Sequence, residues 1–386
     1  MAVRSTVIFA VGLIHLAACD ETSGSGGSPD PTTGGSSGAP TGGTAGDGGT
    51  SGASAAAAGG EGGAAGGTGG RSTSQACVPA DSMPLGTGGA AGQGGAPGAR
   101  SMAKSTGGTW TATGGVGGTW NVVDEGTAEF SQVSAGTWHV CGVLTDGLLA
   151  CWGRNDYGQA TPPAGTFTSV SCGWLHCCGL RTDGTIVCWG SNEYGQSTAP
   201  AGTFSQVDVG FWHRSCGLGT DGIAVCWGQE QYGENASPAE TFTQLSAGGS
   251  HNCGIRPDGT LLCWGSDLQG QSAAPAGTFL QVSGGSYYTC ALRTDHTVAC
   301  WGLPYGADIT PPGGTFTSVS AAAFHACGLR EDGSIECWGR GDNCQTAVPA
   351  GSFLQVSATH SNTCALRTDR TVVCWGDGAY GQASPP

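Results

Sequence analysis

Cysteine recurs at a fixed spacing through the second two-thirds of the chain. Seven pairs share the pattern C-x9-C-W-G, with an aspartate midway that is usually followed by glycine: Cys141 with Cys151, Cys178 with Cys188, Cys216 with Cys226, Cys253 with Cys263, Cys290 with Cys300, Cys327 with Cys337, and Cys364 with Cys374. A three-residue hairpin with glycine in the left-handed position sets residues equidistant from its centre opposite each other. Counting residue pairs outwards from the turn places the two cysteines of each unit at a non-hydrogen-bonded site, where Cα atoms approach to about 4.5 Å. The pattern therefore predicts one cross-strand disulfide in each unit.

Zinc binding is the alternative for these pairs, but structural zinc prefers cysteines two to four residues apart, so we predict no metal site. Four cysteines remain besides these fourteen and Cys19. Cys172 and Cys177 flank a turn and could close it, which would leave Cys77 to pair with Cys344. Sequence alone does not determine the connectivity of leftover cysteines.

Histidine also recurs, which raises the question of metal binding or catalysis. It stands before the first cysteine of five units, at His139, His176, His213, His251 and His325, while Tyr288 and Asn362 take this place in units five and seven. Replacement by neutral hydrogen-bonding groups indicates a structural role. No unit adds a nucleophile with a base, or paired carboxylates. We predict no enzyme and no cofactor; an enzyme acting on polysaccharides, with a site assembled from different units, is the least favoured alternative.

The elements that hold these residues repeat with the same period. Tryptophan precedes glycine at spacings of 37 or 38 residues, at Trp152, Trp189, Trp227, Trp264, Trp301, Trp338 and Trp375. Within unit two, segments 167–172, 176–181 and 185–190 have strand lengths and are separated by Gly, Asp and Pro. Strands that are apolar on both faces need a neighbour on each side, which a ring of blades supplies. The predicted fold class is all-β: a seven-bladed β-propeller over 130–386, with 37-residue repeats and one disulfide per blade.

The N-terminal third has the composition of a targeting segment and a tether. Residues 1–18 carry Arg4 and a short apolar run, which is typical of a signal peptide, and Leu16-Ala17-Ala18-Cys19 resembles the bacterial lipobox. We therefore predict lipidation at Cys19; an ordinary secretory signal cut at Ala18 is the alternative. Residues 19–106 are rich in Gly, Ser, Thr and Ala and are predicted to be a disordered tether. Residues 107–129 are a linker or a closing strand. Both signal hypotheses place the protein outside the cytoplasm.

The net charge limits the partners. The chain has a formal charge of −15, so neither nucleic acid nor an anionic lipid surface offers it a favourable field. We expect contact with a membrane only through the N-terminal lipid, and a monomer that binds a protein or a glycan.

The segment S-C-G-W-L-H-C-C-G-L-R-T-D-G-T-I-V-C-W-G-S-N-E-Y-G-Q, residues 171–196, resembles the repeat of the regulator-of-chromosome-condensation family. The short unit with G-Q-x-x-x-P is most similar to the bacterial branch, which includes a secreted propeller inhibitor of β-lactamases. The resemblance covers all seven units and implies a propeller that binds proteins through its loops. One scaffold serves many functions, so it does not identify the partner. The paired cysteines depart from the family's usual repeat.

Strand direction places two kinds of connection at opposite ends of each blade. The turn between the first and second strands and the loop after W-G lie at one end, here called the loop face, and the T-D-G hairpins lie at the other, the hairpin face. The loop face collects aromatic and acidic residues that form our predicted ligand-binding set: Trp138, Trp174, Phe211, Trp212, Tyr287, Phe324, Asp156, Tyr157, Glu193, Tyr194 and Tyr232. Such residues are typical of interface hot spots and of sugar platforms; packing between blades is the structural alternative. At the hairpin face, turn chemistry explains the aspartates better than calcium binding.

The sequence therefore predicts a surface-tethered protein-binding propeller, with inhibition of the partner among its expected effects. A carbohydrate-binding or cell-wall-binding propeller is the alternative.

Overall fold

The computed structural model describes residues 128–303 and 306–386. The predicted signal peptide, the lipidation site Cys19, the tether with Cys77, and residues 107–127 lie outside the described residues. Every regular element in the described part is a β-strand, and no helix there could span a membrane.

The strands form seven antiparallel sheets, each built from three consecutive strands. In chain order they are β1 (Phe130–Ala135), β2 (His139–Leu144), β3 (Leu149–Gly153), β4 (Phe167–Cys172), β5 (His176–Arg181), β6 (Ile186–Gly190), β7 (Phe204–Val209), β8 (Arg214–Gly219), β9 (Ala224–Gly228), β10 (Gln244–Ala247), β11 (His251–Ile255), β12 (Leu261–Gly265), β13 (Phe279–Gly284), β14 (Tyr288–Arg293), β15 (Val298–Gly302), β16 (Ser318–Ala321), β17 (His325–Leu329), β18 (Ile335–Gly339), β19 (Phe353–Ala358), β20 (Asn362–Arg367) and β21 (Val372–Gly376). Blades 1 to 7 are these sheets in order. The predicted all-β, seven-bladed propeller is confirmed.

The disulfides lie where the hairpin register placed them. Cys178 faces Cys188 across β5 and β6 with Cα atoms 4.0 Å apart. The other six predicted pairs are also bonded, and so is Cys172 with Cys177. Cys344 is itself disulfide-bonded, and its predicted link to Cys77 lies outside the described residues.

The hairpin turns explain the repeated aspartates. Gly184 has a φ of 83°, and the Asp183 carboxylate accepts hydrogen bonds from the Thr185 N–H at 2.9 Å and from its hydroxyl at 2.7 Å. These bonds lower the pKa of Asp183. His296 and Arg370 replace the turn glycine in blades 5 and 7 and adopt φ values of 67° and 71°, a conformation that costs a side-chain-bearing residue about 1 kcal/mol. The aspartates of the hairpin face therefore serve turn formation.

A ring of hydrogen bonds joins the first strands around the axis. Ser134 Oγ accepts the N–H of Cys172 in blade 2 at 3.0 Å, and equivalent bonds follow from blade to blade. The last one joins Ser357 in blade 7 to the N–H of Ala135 in blade 1 at 3.0 Å. Gln355 also pairs with both main-chain groups of Val133 across this seam. The ring is therefore closed, and residues 128 and 129 supply no closing strand.

The apolar core lies between blades. Phe130 and Trp152 of blade 1 pack with Leu366 and Cys374 of blade 7, and similar clusters join the other neighbours. Each blade thus buries one face on the next, which keeps the loops at both ends in fixed positions.

Candidate binding site on the loop face

An aromatic row runs across the loop face from blade 7 to blade 3. Trp138 lies between Tyr380 at 6.0 Å and Trp174 at 5.9 Å, and Trp174 meets Trp212 edge-on at 5.4 Å, measured between ring centroids. Trp138, Trp174 and Trp212 are half-buried, whereas Tyr380 is 48 % exposed. Blade rotation brings together aromatics that are far apart in sequence.

Trp174 and Trp212 of this row also line a cavity of about 450 Å³, which extends across the loops of blades 2 to 5. It brings together five residues of the predicted set: Trp174, Tyr194, Trp212, Tyr232 and Tyr287. Amide and hydroxyl side chains complete its wall, from Gln229, Gln231, Ser250, Ser266, Gln269 and Gln271. Tyr194, Tyr232 and Leu268 are among the most exposed apolar residues of the described chain, so the cavity is open to solvent.

The other predicted residues lie outside this cavity. Phe324 contacts His360 at 5.3 Å in the neighbouring blade, Asp156 pairs with Arg154 at 2.6 Å, and Tyr157 and Glu193 are exposed on their loops. Phe211 is separated from the outer aromatics because it packs on the apolar cluster of blades 6 and 7, at the narrow central channel. The predicted set therefore divides into a cavity group, Trp138 in the aromatic row, and isolated members; Tyr380, which extends the row, was not predicted.

A buried ion pair closes the floor of the cavity. Arg214 and Glu234 lie 3.8 Å apart, with side chains 2 % and 3 % exposed. Arg214 Nη2 donates to the main-chain oxygens of Gly248 and His251 at 3.0 and 3.2 Å, and Glu234 accepts the Tyr232 N–H at 2.5 Å. Burial lowers the pKa of Arg214 to about 10, opposed by the charge of Glu234.

Sequence reasoning missed this pair because of one inserted residue. We predicted His213 as the repeat histidine of unit three, and that assignment is wrong: β8 begins at Arg214, and His213 lies half-buried among the loop aromatics. The 38-residue interval between Trp189 and Trp227 was the available signal. Glu234 likewise replaces the glutamine that follows Y-G in units one, two and seven.

The true repeat histidines are structural. His139, His176, His251 and His325 are fully buried, and burial lowers the pKa of each to about 3. His176 Nε2 lies 2.9 Å from Ser215 Oγ in the next blade, and that hydroxyl donates to Gln196 O at 3.1 Å. These neutral imidazoles join one blade to the next.

One group of side chains has the spacing of a metal site in the described residues, namely His139 with Cys172 and Cys177. His139 Nε2 lies 3.0 Å from Cys177 Sγ. Both thiols are consumed in a disulfide, however, so the group offers no thiolate to an ion.

The comparisons with known proteins agree with this geometry. The regulator of chromosome condensation (RCC1) repeat matches residues 130–159, 167–196, 242–271, 279–305 and 353–382. These are blades 1, 2, 4, 5 and 7, each from its first strand to the loop after W-G. The chain is a propeller that carries RCC1-like repeats in five of its seven blades. No curated protein sequence matches it significantly.

Solved propellers resemble this RCC1-like chain over about two-thirds of its length. The CRINKLY WD40 ectodomain of the Arabidopsis thaliana receptor kinase ACR4 is 25 % identical, with a TM-score of 0.56 over 66 % of this chain and 98 % of that one. The ectodomain of the Physcomitrella patens receptor kinase CR4 is 24 % identical, with a TM-score of 0.55 over 65 % and 74 %. Prp20p of Saccharomyces cerevisiae is 14 % identical, with a TM-score of 0.51 over 59 % and 80 %. The last two comparisons support the fold alone.

Proposed function

We propose that this RCC1-like propeller binds a protein through its loop face. The continuous contact of Tyr380, Trp138, Trp174 and Trp212 carries the proposal. Tryptophan and tyrosine dominate the binding energy of protein interfaces, because they bury a large area at a low cost in side-chain entropy. Partly exposed rings held by neighbouring blades are already positioned for a partner, so little ordering is needed on binding.

The acidic loops favour a partner with positive surface potential. Asp156, Glu193, Glu230, Asp267 and Asp377 lie in the loops after W-G of five blades. Charges at the rim of an interface raise the association rate and select the partner more than they raise affinity. We therefore expect binding to weaken as the salt concentration rises.

We further propose that the protein works outside the cytoplasm as a lipid-anchored monomer. Eight disulfides within the described residues suit an oxidising compartment. The ACR4 propeller is likewise part of an ectodomain. A tethered propeller that covers a functional surface of its partner would act as an inhibitor.

Carbohydrate binding is the second candidate, favoured by the side-chain amides of Gln229, Gln231 and Gln269 beside the cavity tryptophans. Amides that bond sugar hydroxyls next to stacking rings would suit a glycan as well.

The test compares three forms of the full chain as immobilised baits. The double variant Trp138→Ala/Trp174→Ala removes the centre of the aromatic row. Leu280→Thr is the control: Leu280 is exposed near the hairpin face, and Thr168, Thr243 and Thr317 hold its place in other blades. Thermal melts establish that all three forms fold.

We expect one protein to be retained from extracts of neighbouring cells by the wild type and by Leu280→Thr, and to be lost from the double variant. Equal retention by all three baits would contradict binding through the loop face. A glycan-array signal that the double variant loses, without any retained protein, would favour the carbohydrate alternative instead.

A further inference from the structure

The cavity across the loops of blades 2 to 5 has a charge that its aromatic wall does not explain. Glu193 precedes Tyr194, Glu230 lies between Gln229 and Gln231, and Asp267 lies between Ser266 and Leu268. Each of these acids thus adjoins residues of the cavity wall. All three are exposed, so the cavity opens through an acidic rim.

Among the described residues that line the cavity, no cationic side chain is available to pair with the carboxylates of the rim. Arg214 is held by Glu234 and by two main-chain oxygens beneath the wall. Burial lowers the pKa of His213, so its ring is neutral near pH 7. Three exposed carboxylates therefore lie in the loops around a cavity whose one guanidinium is already neutralised by the buried Glu234.

Elsewhere on the loop face the chain stacks its own arginines on aromatic rings. Arg154 lies over Trp138, with 4.8 Å from Cζ to the ring centroid, and Arg340 lies over Phe324 at 5.5 Å. Both arginines follow W-G directly. The same position in blades 2, 3 and 4 holds Ser191, Gln229 and Ser266. In blades 2 and 3, Trp174 and Trp212 are therefore present without the arginine that accompanies the ring in blades 1 and 6, and the ring of His213 lies 5.1 Å from that of Trp174.

We propose that this cavity receives an arginine side chain of the protein partner. The guanidinium stacks on Trp212 as Arg154 stacks on Trp138, with Trp174 edge-on to Trp212 beside it, and Glu193 and Glu230 bind its N–H groups at the rim. Arginine suits this site better than lysine because its planar group both stacks and donates hydrogen bonds in its own plane. This proposal rests on protein binding by the loop face and specifies the residue that anchors it.

N-acetyl-arginine amide is the direct probe, and N-acetyl-citrulline amide, which has the same shape without the charge, is its control. Binding to the full chain is followed by NMR of the indole N–H signals at low salt. We expect the arginine probe to bind at least about tenfold more tightly than citrulline, since the cation supplies most of the attraction. Glu193→Gln/Glu230→Gln should weaken it several-fold without changing the fold, and Trp212→Leu should abolish it.

Equal binding of the two probes, or no binding of the arginine probe at millimolar concentration, would overturn the proposal. Retention of the partner by the double variant, together with competition by the arginine probe, distinguishes failure of the arginine proposal from failure of the proposed function. If Trp138→Ala/Trp174→Ala loses the partner while the arginine probe fails to compete with it, the loop face binds protein without an arginine anchor. If the double variant keeps the partner, protein binding through the loop face fails as well.

Discussion

Trp152 of the first blade donates its indole N–H to the main-chain oxygen of Gln382 at 3.0 Å, although 230 residues separate them. In blade 2, Trp189 makes the same bond to Gln159, the corresponding residue of the blade before it, at 2.9 Å. Gln382 therefore accepts the tryptophan hydrogen bond of blade 1 as Gln159 accepts that of blade 2. The loop after W-G of each blade, including the last, supports the tryptophan of the next.

The seam between blades 7 and 1 should be as strong as an internal junction. Trp152→Phe and Trp189→Phe each remove one buried hydrogen bond and leave a carbonyl unpaired, so each should lower the free energy of unfolding by about 1–2 kcal/mol. Urea denaturation of both variants measures the two losses. A loss for Trp189→Phe with none for Trp152→Phe would mean that the ring is open in solution.

The ion pair of Arg214 and Glu234 should be replaceable only as a pair. Arg214→His alone leaves a buried carboxylate without its cation, which should cost about 3–5 kcal/mol. The double variant Arg214→His/Glu234→Gln restores the residues that blade 2 carries, His176 and Gln196, and should recover most of that loss. Denaturant unfolding of Arg214→His, Glu234→Gln and the double variant gives the coupling energy between the two side chains. Additive losses would show that the two side chains do not interact.

Acid should unfold the protein through its buried histidines. The folded-state pKa of His251 is lowered to about 3 from an ordinary 6.5. Between these values the unfolded chain binds a proton that the folded chain excludes, so stability is present above about pH 6.5 and is lost as the pH falls towards 3. His139, His176 and His325 act in the same direction.

His251→Asn tests this, because Asn362 holds the same position in blade 7. The variant should be less stable than the wild type at pH 7.5, by about 1–2 kcal/mol for the lost interblade hydrogen bond, but its stability should fall less steeply below pH 6.5. Thermal melts from pH 7.5 to 4 measure both effects, with Leu280→Thr as a control that should parallel the wild type. Parallel curves for His251→Asn and the wild type would refute the assignment.

The disulfides should stabilise according to the length of the loop they close. Cys216→Ala/Cys226→Ala opens a bond with a sequence separation of 10, which should cost about 3 kcal/mol in the chain-entropy model. Cys172→Ala/Cys177→Ala opens one with a separation of 5 and should cost about 2 kcal/mol. Denaturation without reductant gives both values. A Cys216→Ala/Cys226→Ala variant as stable as the wild type would contradict the prediction.

Much of the fold follows from neighbours in sequence. The structure confirms β4 as Phe167–Cys172 and β5 as His176–Arg181, as the segments of unit two predicted. The third strand begins at Ile186 rather than at Thr185, because Thr185 belongs to the turn and bonds Asp183. Position-by-position counting failed in unit three, where one extra residue moved His213 out of the strand and Arg214 into it.

The sequence could predict which kinds of residue form the candidate site, but not which of them lie together. Trp174, Trp212 and Tyr232 were recognisable as loop residues, but nothing local indicated that these residues of blades 2 and 3 share a cavity with Gln269 of blade 4. Phe211 is also aromatic and lies in the same turn as Trp212, yet it packs on blades 6 and 7.

The sequence by itself determined the size of the module, its hairpins and the register of seven cysteine pairs, because a turn and a ladder depend on residues within about ten positions of each other. Only the tertiary structure decided which loops meet, how Gln355 closes the ring on Val133, and why Arg214 is paired. Those contacts join residues that lie farther apart in the chain, from 20 positions for Arg214 and Glu234 to 222 for Val133 and Gln355, and their geometry depends on how each sheet packs and rotates against its neighbours.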